Sequence, residues 1–411
     1  MHETGAPAAL VTVSRGGRTI WSEAFGCASL ELQVPASPRT RFRIGSVSKP
    51  LTSTAMALLV EDGKLDLDAP VQRYVPDFPV KAWPITTRQV AGHLSGIRHY
   101  VAGEFENQRH FDTVRAGLAM FEKDALIFEP GSKYGYSSHG YNLLSAVLEG
   151  ASGERYLDLM DRRVFGPAGM KETAADDPFR IVPNRAAFYT REDASGDVRN
   201  VLWVDNSYKW ASGGFVSTTE DLVRFANVLA AGQLVKPETL RLLWTSLETR
   251  DGKETGYGLG WSVAPDEKGR QRVWHSGGAQ GGTAYLLLYP DEGLVVAMLV
   301  NSDESFTGRT PRIAEIFLDG PEAARVWRHR GAGFALAIPE VWEERYSVEL
   351  LERGDAGAVR PKARWVVRFG YIPQNRRRER ATLLEIDVFD RADWDAIRPQ
   401  GGASATVVVG E

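Results

Sequence analysis

Strand-like segments lie at both ends of the first 318 residues and enclose a long helical stretch, which constrains the fold more than any other feature. Apolar runs at residues 8–13 and 19–25 flank an Arg-Gly-Gly-Arg turn, which is typical of an antiparallel hairpin. Further strand-like runs follow at residues 272–275, 283–289 and 294–300. One sheet assembled from both ends, with helices beside it, is the most economical arrangement of these segments.

The predicted fold class is therefore α+β, an α/β sandwich whose antiparallel sheet is flanked by helices. We predict one domain over residues 1–318, with the sheet from about residues 7–45 and 257–318 and a helical part from about 46–256. Two segments have the spacing of a helical capping box, Thr86-x-x-Gln89 and Ser217-x-x-Glu220.

The last ninety residues resemble neither part of that domain. We predict a small separate α+β unit over residues 321–411, whose role the sequence does not indicate. Its strand-like runs are residues 334–338, 365–369, 383–389 and 406–409, and residues 391–397 could form a short helix. The basic run at residues 376–378 is expected to be a solvated hairpin tip.

Composition excludes several classes of function. The 49 basic and 53 acidic side chains leave a net charge of −4, too small to capture nucleic acid or an anionic membrane. No apolar run approaches the ~20 residues that span a bilayer, so we expect no membrane span. The N-terminus has no signal-peptide character, and the compartment stays open.

The sequence also predicts neither a metal nor a cofactor. Cys27 is the single cysteine, so the chain can form neither an internal disulfide nor a cysteine metal site. His93 and His99 have no carboxylate or third histidine at a ligand-like spacing.

Ser46-Val47-Ser48-Lys49 stands where the first strand region gives way to a helix. Residues three apart share a helix face, so Lys49 can reach back under the Ser46 hydroxyl. The helix N-terminus would also stabilise a developing oxyanion. On local evidence alone, a plain N-cap serine with an exposed lysine explains the same residues equally well.

Two later segments could complete a catalytic site. Tyr136 lies in a Tyr-Gly-Tyr-Ser-Ser loop before a helix, where a phenol can point into a cleft or simply be buried. His275-Ser276-Gly277-Gly278 ends a predicted strand, where glycines allow the close approach of a ligand backbone or form a tight turn.

In this order, the three segments resemble those of the penicillin-recognising serine hydrolases, a superfamily that includes class C β-lactamases, D,D-peptidases and related esterases. Further segments narrow the resemblance to the serine β-lactamase-like peptidases of mitochondria and their bacterial relatives. They are residues 64–68, 93–100, 204–210 and 213–218. The resemblance covers about residues 7–318 and implies a β-lactamase/transpeptidase-like fold with an all-helical insertion.

The resemblance implies a role for each segment. Ser46 would be the acylated nucleophile, Lys49 its base or proton relay, and Tyr136 the group that passes a proton to the leaving group. The backbone amides of Ser46 and Gly278 would form the oxyanion hole. A free lysine base needs a pKa about 3 units below its usual value, and the sequence leaves open whether Lys49 or Tyr136 is the base.

Two departures from the superfamily pattern bear on the substrate. Ser138 stands where many relatives have asparagine, and His275 stands where β-lactamases and D,D-peptidases usually have lysine. Because histidine is mostly neutral at pH 7, recognition of a free carboxylate is weakened. We therefore predict a substrate site at Ser138, His275, Ser276, Gly277 and Gly278 that takes an internal amide or an ester.

The predicted function is a metal-free serine hydrolase that acts through an acyl-enzyme on a small peptide or ester substrate, with a peptidase as the leading expectation. The alternatives are an esterase, a weak β-lactamase or D,D-peptidase, and, from another class, a non-catalytic scaffold or assembly protein. A homo-oligomer is possible. Relatives of this kind are often periplasmic, secreted or mitochondrial.

Overall fold

The computed structural model describes residues 6–191, 197–303 and 307–319, and beyond these five strands of the C-terminal part. The chain divides into two compact units, Met1–Ala314 and Glu315–Glu411. Within the described part of the chain, no helix has the length and apolarity that crossing a bilayer requires.

The larger unit contains both strands and helices. Its strands are β1 (Ala8–Arg15), β2 (Arg18–Ser29), β3 (Val34–Pro35), β4 (Phe42–Arg43), β5 (Ala174–Ala175), β6 (Tyr189–Arg191), β7 (Val198–Asn200), β8 (Phe215–Ser217), β9 (Ser262–Pro265), β10 (Gln271–Ala279), β11 (Gly282–Tyr289) and β12 (Leu294–Val300). Its helices are α1 (Ser48–Glu61), α2 (Thr87–Ala91), α3 (Val114–Gly117), α4 (Ser138–Ser152), α5 (Tyr156–Met160), α6 (Gly166–Ala168), α7 (Trp210–Gly213), α8 (Thr219–Ala230) and α9 (Pro237–Leu243). Helix α10 (Thr310–Asp319) spans the division between the units. Short 3₁₀ turns cover Gly45–Val47, Val71–Arg73, Leu118–Met120, Ser207–Lys209 and Thr307–Arg309, and Asp161–Phe165 is a π-helical turn.

A seven-stranded antiparallel sheet joins the two ends of this unit, in the order β3-β2-β1-β12-β11-β10-β9. Strand β1 pairs with β12 from Ala9↔Val300 to Arg15↔Leu294. Every residue of β12 is buried, as its unbroken run of apolar side chains requires. The prediction of an α+β fold with one sheet built from both ends of this unit is confirmed.

Helices cover this sheet and surround α1. Helix α8 lies on β1, where the Thr219 hydroxyl accepts a hydrogen bond from Thr12 at 2.8 Å. Helix α1 is buried from Ser48 to Leu59, which explains why its sequence is apolar or small on nearly every side. The middle of the chain is mainly helical and also contains β5–β8, so it is less uniform than the all-helical insertion that the resemblance implies.

The predicted capping boxes have different outcomes. Thr86 caps α2, and Gln89 completes the box with a reciprocal hydrogen bond. The second prediction is wrong by one residue, because Thr218 caps α8 by accepting from the Asp221 amide. Ser217 instead ends strand β8, where it pairs with Phe42.

The smaller unit contains β13 (Arg325–His329), β14 (Phe334–Ile338), β15 (Tyr346–Glu352), β16 (Trp365–Tyr371) and β17 (Ala381–Val388). Strands β13 and β14 form one antiparallel pair, and β15, β16 and β17 form a second sheet. The predicted strand at 406–409, the helix at 391–397 and the basic run at 376–378 lie outside the described residues.

Candidate active site

Ser46 lies in the 3₁₀ turn that leads from β4 into α1. Gly45 before it has φ of +47°, a left-handed conformation that favours glycine. A side chain there would also come within 2.7 Å of the Gly278 backbone nitrogen. Glycine therefore brings the chain at Ser46 and the end of β10 into direct contact.

Lys49 lies below Ser46, one helical turn further on, and is completely buried. Its ammonium nitrogen is 2.9 Å from Ser46 Oγ, 3.2 Å from Ser138 Oγ and 2.8 Å from the Ser212 carbonyl oxygen. Burial lowers the pKa of Lys49 well below its usual value of 10.5, and the neighbouring charge of Lys209 lowers it further. The ammonium proton is therefore easily lost.

Tyr136 lies on the other side of Ser46 and hydrogen-bonds to its side chain. The Lys49 ammonium nitrogen is 4.8 Å from the centre of the Tyr136 ring. Burial raises the pKa of the phenol well above 10.0, so Tyr136 stays protonated at neutral pH. Lys49 and Tyr136, which are far apart in sequence, thus converge on the hydroxyl of Ser46.

Ser138 begins α4, and its side chain is directed to Lys49. With an exposure of 3%, the Ser138 side chain is nearly closed to solvent. Its backbone amide donates to His99 Nδ1 at 3.1 Å. The structure therefore brings Ser138 to the lysine of the site.

His275 is buried at the base of the site, 6.3 Å from Tyr136 between ring centres. Its Nδ1 lies 2.6 Å from the Ser276 carbonyl oxygen, which can only accept, so Nδ1 carries the proton. Nε2 then accepts from the Tyr257 hydroxyl at 2.9 Å. Burial lowers the pKa of His275 to about 3, and Lys49 contributes, so the ring is neutral.

The other three predicted substrate residues alternate along β10. Ser276 and Gly278 are exposed, whereas Gly277 is buried. A side chain at Gly277 would overlap the Ile44 carbonyl oxygen, so the close backbone approach here is made by the chain itself. Gly278 has open space in the direction of a side chain.

Several residues of the site were not singled out in the sequence. Ser212 supplies an acceptor to Lys49, and its hydroxyl lies 3.1 Å from that of Tyr100. Lys209 lies 4.3 Å from the Phe105 ring centre, and burial lowers its pKa to about 7. Lys209 lies within one of the family-like segments, but neither its spacing nor its neighbours distinguishes it from a surface lysine.

The described residues contain no group of three or more histidine, cysteine, aspartate or glutamate side chains that could hold a metal ion. His93 and His99 instead accept hydrogen bonds from backbone amides, His93 from Ser137 and His99 from Ser138.

Comparison with known proteins identifies relatives over most of the chain. A family model described as Beta-lactamase matches residues 1–320. The human protein named Serine beta-lactamase-like protein LACTB, mitochondrial, is 35% identical, and the match covers 71% of this chain and 70% of that protein. Penicillin-binding protein 4* of Bacillus subtilis is 30% identical, covering 72% of this chain and 68% of its own.

Solved structures show the same fold. The octameric penicillin-binding protein homologue from Pyrococcus abyssi has a TM-score of 0.68 at 23% identity, and the match covers 95% of this chain and 96% of that one. The resemblance predicted from the sequence is confirmed.

Proposed function

The chain belongs to the beta-lactamase family, and from that premise we propose that this serine hydrolase cleaves an amide bond of a small peptide through an acyl-enzyme. One observation carries the proposal. The Ser46 hydroxyl is shared between a buried Lys49 nitrogen 2.9 Å away and the phenol of Tyr136. A serine hydroxyl is a weak nucleophile until a neighbouring base takes its proton.

In acylation, Ser46 Oγ would attack the substrate carbonyl carbon while its proton passes to the neutral Lys49 amine. The oxyanion would accept hydrogen bonds from the amides of Ser46 and Gly278. As the C–N bond breaks, Tyr136 would donate its proton to the leaving nitrogen, and Lys49 would return a proton to Tyr136. Water then hydrolyses the ester on Ser46 and regenerates the hydroxyl.

The hydrogen bonds around Lys49 favour it over Tyr136 as the base. A neutral amine has two N–H groups and one lone pair. The Ser212 carbonyl can only accept, and the Ser138 hydroxyl can accept the second N–H. The lone pair is then left for the Ser46 proton. Tyr136, whose pKa is raised by burial, suits the role of proton donor.

The edge of β10 supports an extended peptide as substrate. Strand β9 pairs with β10 only as far as Trp274, whereas β11 continues to Ala279 on the other side. Among the described strands, residues 275–279 therefore have one edge without a partner, where a peptide could add as a further strand. The neutral His275 offers no charge to a terminal carboxylate, which favours an internal amide over a β-lactam.

Labelling with a fluorophosphonate tests the nucleophile. We expect wild type to be labelled and Ser46→Ala to be unlabelled, with both variants equally folded by circular dichroism. Labelling of neither protein by a fluorophosphonate or a penicillin would support the scaffold alternative.

A substrate ranking tests the finer proposal. We expect turnover of short peptide amides, all of it lost in Ser46→Ala, and slower turnover of nitrocefin. If only esters are cleaved, the chain is an esterase. If nitrocefin is cleaved fastest, a β-lactamase or D,D-peptidase preference replaces the peptidase.

We also propose that the chain forms a homo-oligomer and that residues 321–411 are an accessory unit. The Pyrococcus abyssi homologue, which is octameric by its title, supports the first point. Light scattering on the purified protein would measure the mass, and a monomer at micromolar concentration would contradict the proposal.

A further inference from the structure

Residues 93–99 lie against the loop that carries Tyr136 and bind its backbone on both sides of the tyrosine. The Gly135 amide donates to the His93 carbonyl oxygen at 2.8 Å, and the Ser137 amide donates to His93 Nδ1 at 3.1 Å. The Ser138 amide donates to His99 Nδ1, also at 3.1 Å. Three of the four residues 135–138 are therefore held by two histidines.

Both imidazole rings also contact Tyr136 itself. The ring centres of His93 and Tyr136 are 4.3 Å apart, and those of His99 and Tyr136 are 5.5 Å apart with the rings edge to face. The phenol therefore has an imidazole on two sides, while its hydroxyl reaches Ser46. These contacts leave the Tyr136 ring little freedom to turn away.

The two hydrogen bonds from backbone amides to histidine nitrogens require neutral imidazoles. A ring nitrogen that accepts from an N–H cannot carry a proton, so each histidine must have its proton on Nε2. Burial and the charge of Lys49 lower the pKa of His99 to about 4, and burial chiefly lowers that of His93 well below 6.5. Glu104 acts on His99 in the opposite direction, and His275 and His99 add to the shift of His93.

Two features of His93 are energetically unfavourable. Its φ is +59°, a left-handed conformation that is unfavourable for residues with a side chain by about 1 kcal/mol or more. Its Nε2 is buried and has no hydrogen-bond partner within the described structure. Stability alone does not favour a histidine here, whereas this conformation turns both its carbonyl and its ring toward the tyrosine loop.

We propose that His93 and His99 are positioning residues that hold the Tyr136 phenol on Ser46 by accepting the amide protons of residues 137 and 138. This inference rests on the proposed function, in which Tyr136 protonates the leaving group. Neither histidine would touch the substrate. Their effect would appear only in steps that need the phenolic proton.

Isosteric replacements of His99 give a sharp test, because part of this residue is open to solvent and its variants are expected to fold. Asparagine Oδ1 is as many bonds from Cβ as histidine Nδ1 and can accept the Ser138 amide proton. Glutamine Oε1 lies one bond further away and cannot. His99→Gln should lower kcat for a peptide amide by about 10- to 100-fold with KM nearly unchanged, whereas His99→Asn should stay within about threefold of wild type.

A comparison of substrates with different leaving groups distinguishes a positioning role from a purely structural one. A p-nitrophenyl ester needs no proton on its leaving group, so His99→Gln should slow its hydrolysis far less than that of the amide. The same pair at His93, with asparagine also tolerating a positive φ, should behave alike. Equal rates for the glutamine and asparagine variants, or equal losses with amide and ester, would overturn the inference.

Two controls separate this inference from the proposed function. If wild type shows no Ser46-dependent turnover, the proposed function fails and the inference with it. If wild type is active and His99→Gln matches it, only the inference fails. Nitrogen NMR of histidine-labelled protein adds a test without turnover: we expect Nδ1 of both rings to be unprotonated, and a proton on Nδ1 would overturn the proposal.

Discussion

The two sides of the candidate site are built in different ways. One side, which we call the backbone side, consists of Gly45, Ser46, Ser276, Gly277 and Gly278, where two stretches of main chain approach closely. The other, the side-chain side, consists of Lys49, His93, His99, Tyr136 and Ser138, whose polar groups are held by hydrogen bonds. We expect substitutions on the backbone side to act by steric overlap with the main chain. Substitutions on the side-chain side should act by changing proton transfer and the hydrogen bonds that support it.

The largest effect is expected on the side-chain side, at Lys49. Lys49→Met removes the proposed base while keeping an apolar side chain of similar length. We expect kcat to fall by about 10³-fold, with the protein still folded, because general base catalysis contributes effects of this order. Steady-state kinetics and circular dichroism check the prediction, and a loss below about tenfold would remove Lys49 from the mechanism.

The same variant has a prediction for stability against pH. The pKa of Lys49 is lower in the folded chain than its usual 10.5, so between the two values the unfolded chain binds more protons. Wild-type stability should therefore rise with pH across this window, whereas the methionine variant lacks this contribution. Urea unfolding should show Lys49→Met more stable than wild type at neutral pH, and the difference should shrink at alkaline pH. A difference independent of pH would contradict the shifted pKa.

On the backbone side, the next effect is steric. Gly277→Ala would push a methyl group into the Ile44 carbonyl, so we expect a loss of about 3 kcal/mol in the free energy of unfolding. Gly278→Ala is the matched control, because no heavy atom lies within 4 Å of the added carbon. Its change should stay within about 0.5 kcal/mol. Equal losses in the two variants would mean that close backbone contact does not define this side.

The smallest effects are expected when one serine from each side is replaced by alanine. Ser276 is exposed on β10, so Ser276→Ala should change kcat by less than about threefold, as expected where the main chain and not the side chain forms the site. Ser138→Ala removes an acceptor of Lys49 and should lower kcat by about tenfold, the equivalent of one hydrogen bond of about 1.4 kcal/mol. If Ser276→Ala is the more damaging change, the contrast between the two sides fails.

The sequence predicted the features that depend on short-range interactions, and it misplaced those that depend on contacts between distant segments. The sheet was predictable because β12 is a continuous apolar run and β1 and β11 are mostly apolar, as strands that are buried on both faces require. The cap of α8 was misplaced because Thr218-x-x-Asp221 has the same spacing as Ser217-x-x-Glu220. Only the pairing of Ser217 with Phe42 in the folded chain distinguishes the two.

The candidate site divides in the same way. The proximity of Ser46 and Lys49 follows from their spacing, because one turn of helix fixes their separation. The Ser212 carbonyl, which accepts from Lys49, and Lys209, whose charge lowers the Lys49 pKa, are both far from Lys49 in sequence. No local spacing indicates that Tyr257 hydrogen-bonds to His275. His93 and His99 lie within a family-like segment, and nothing in their spacing indicates that they bind backbone amides.

By itself, the sequence determined the fold class, because apolar periodicity acts over a few residues, and it indicated the family through the resemblance of several segments. Helical spacing also predicted that Lys49 lies close to Ser46. Only the tertiary structure decided which groups are charged. The pKa of Lys49 and the neutral state of His275 depend on burial and on charges brought from distant segments. Proton positions in this site are a property of the packed molecule, because desolvation exists only once the chain has closed around these side chains.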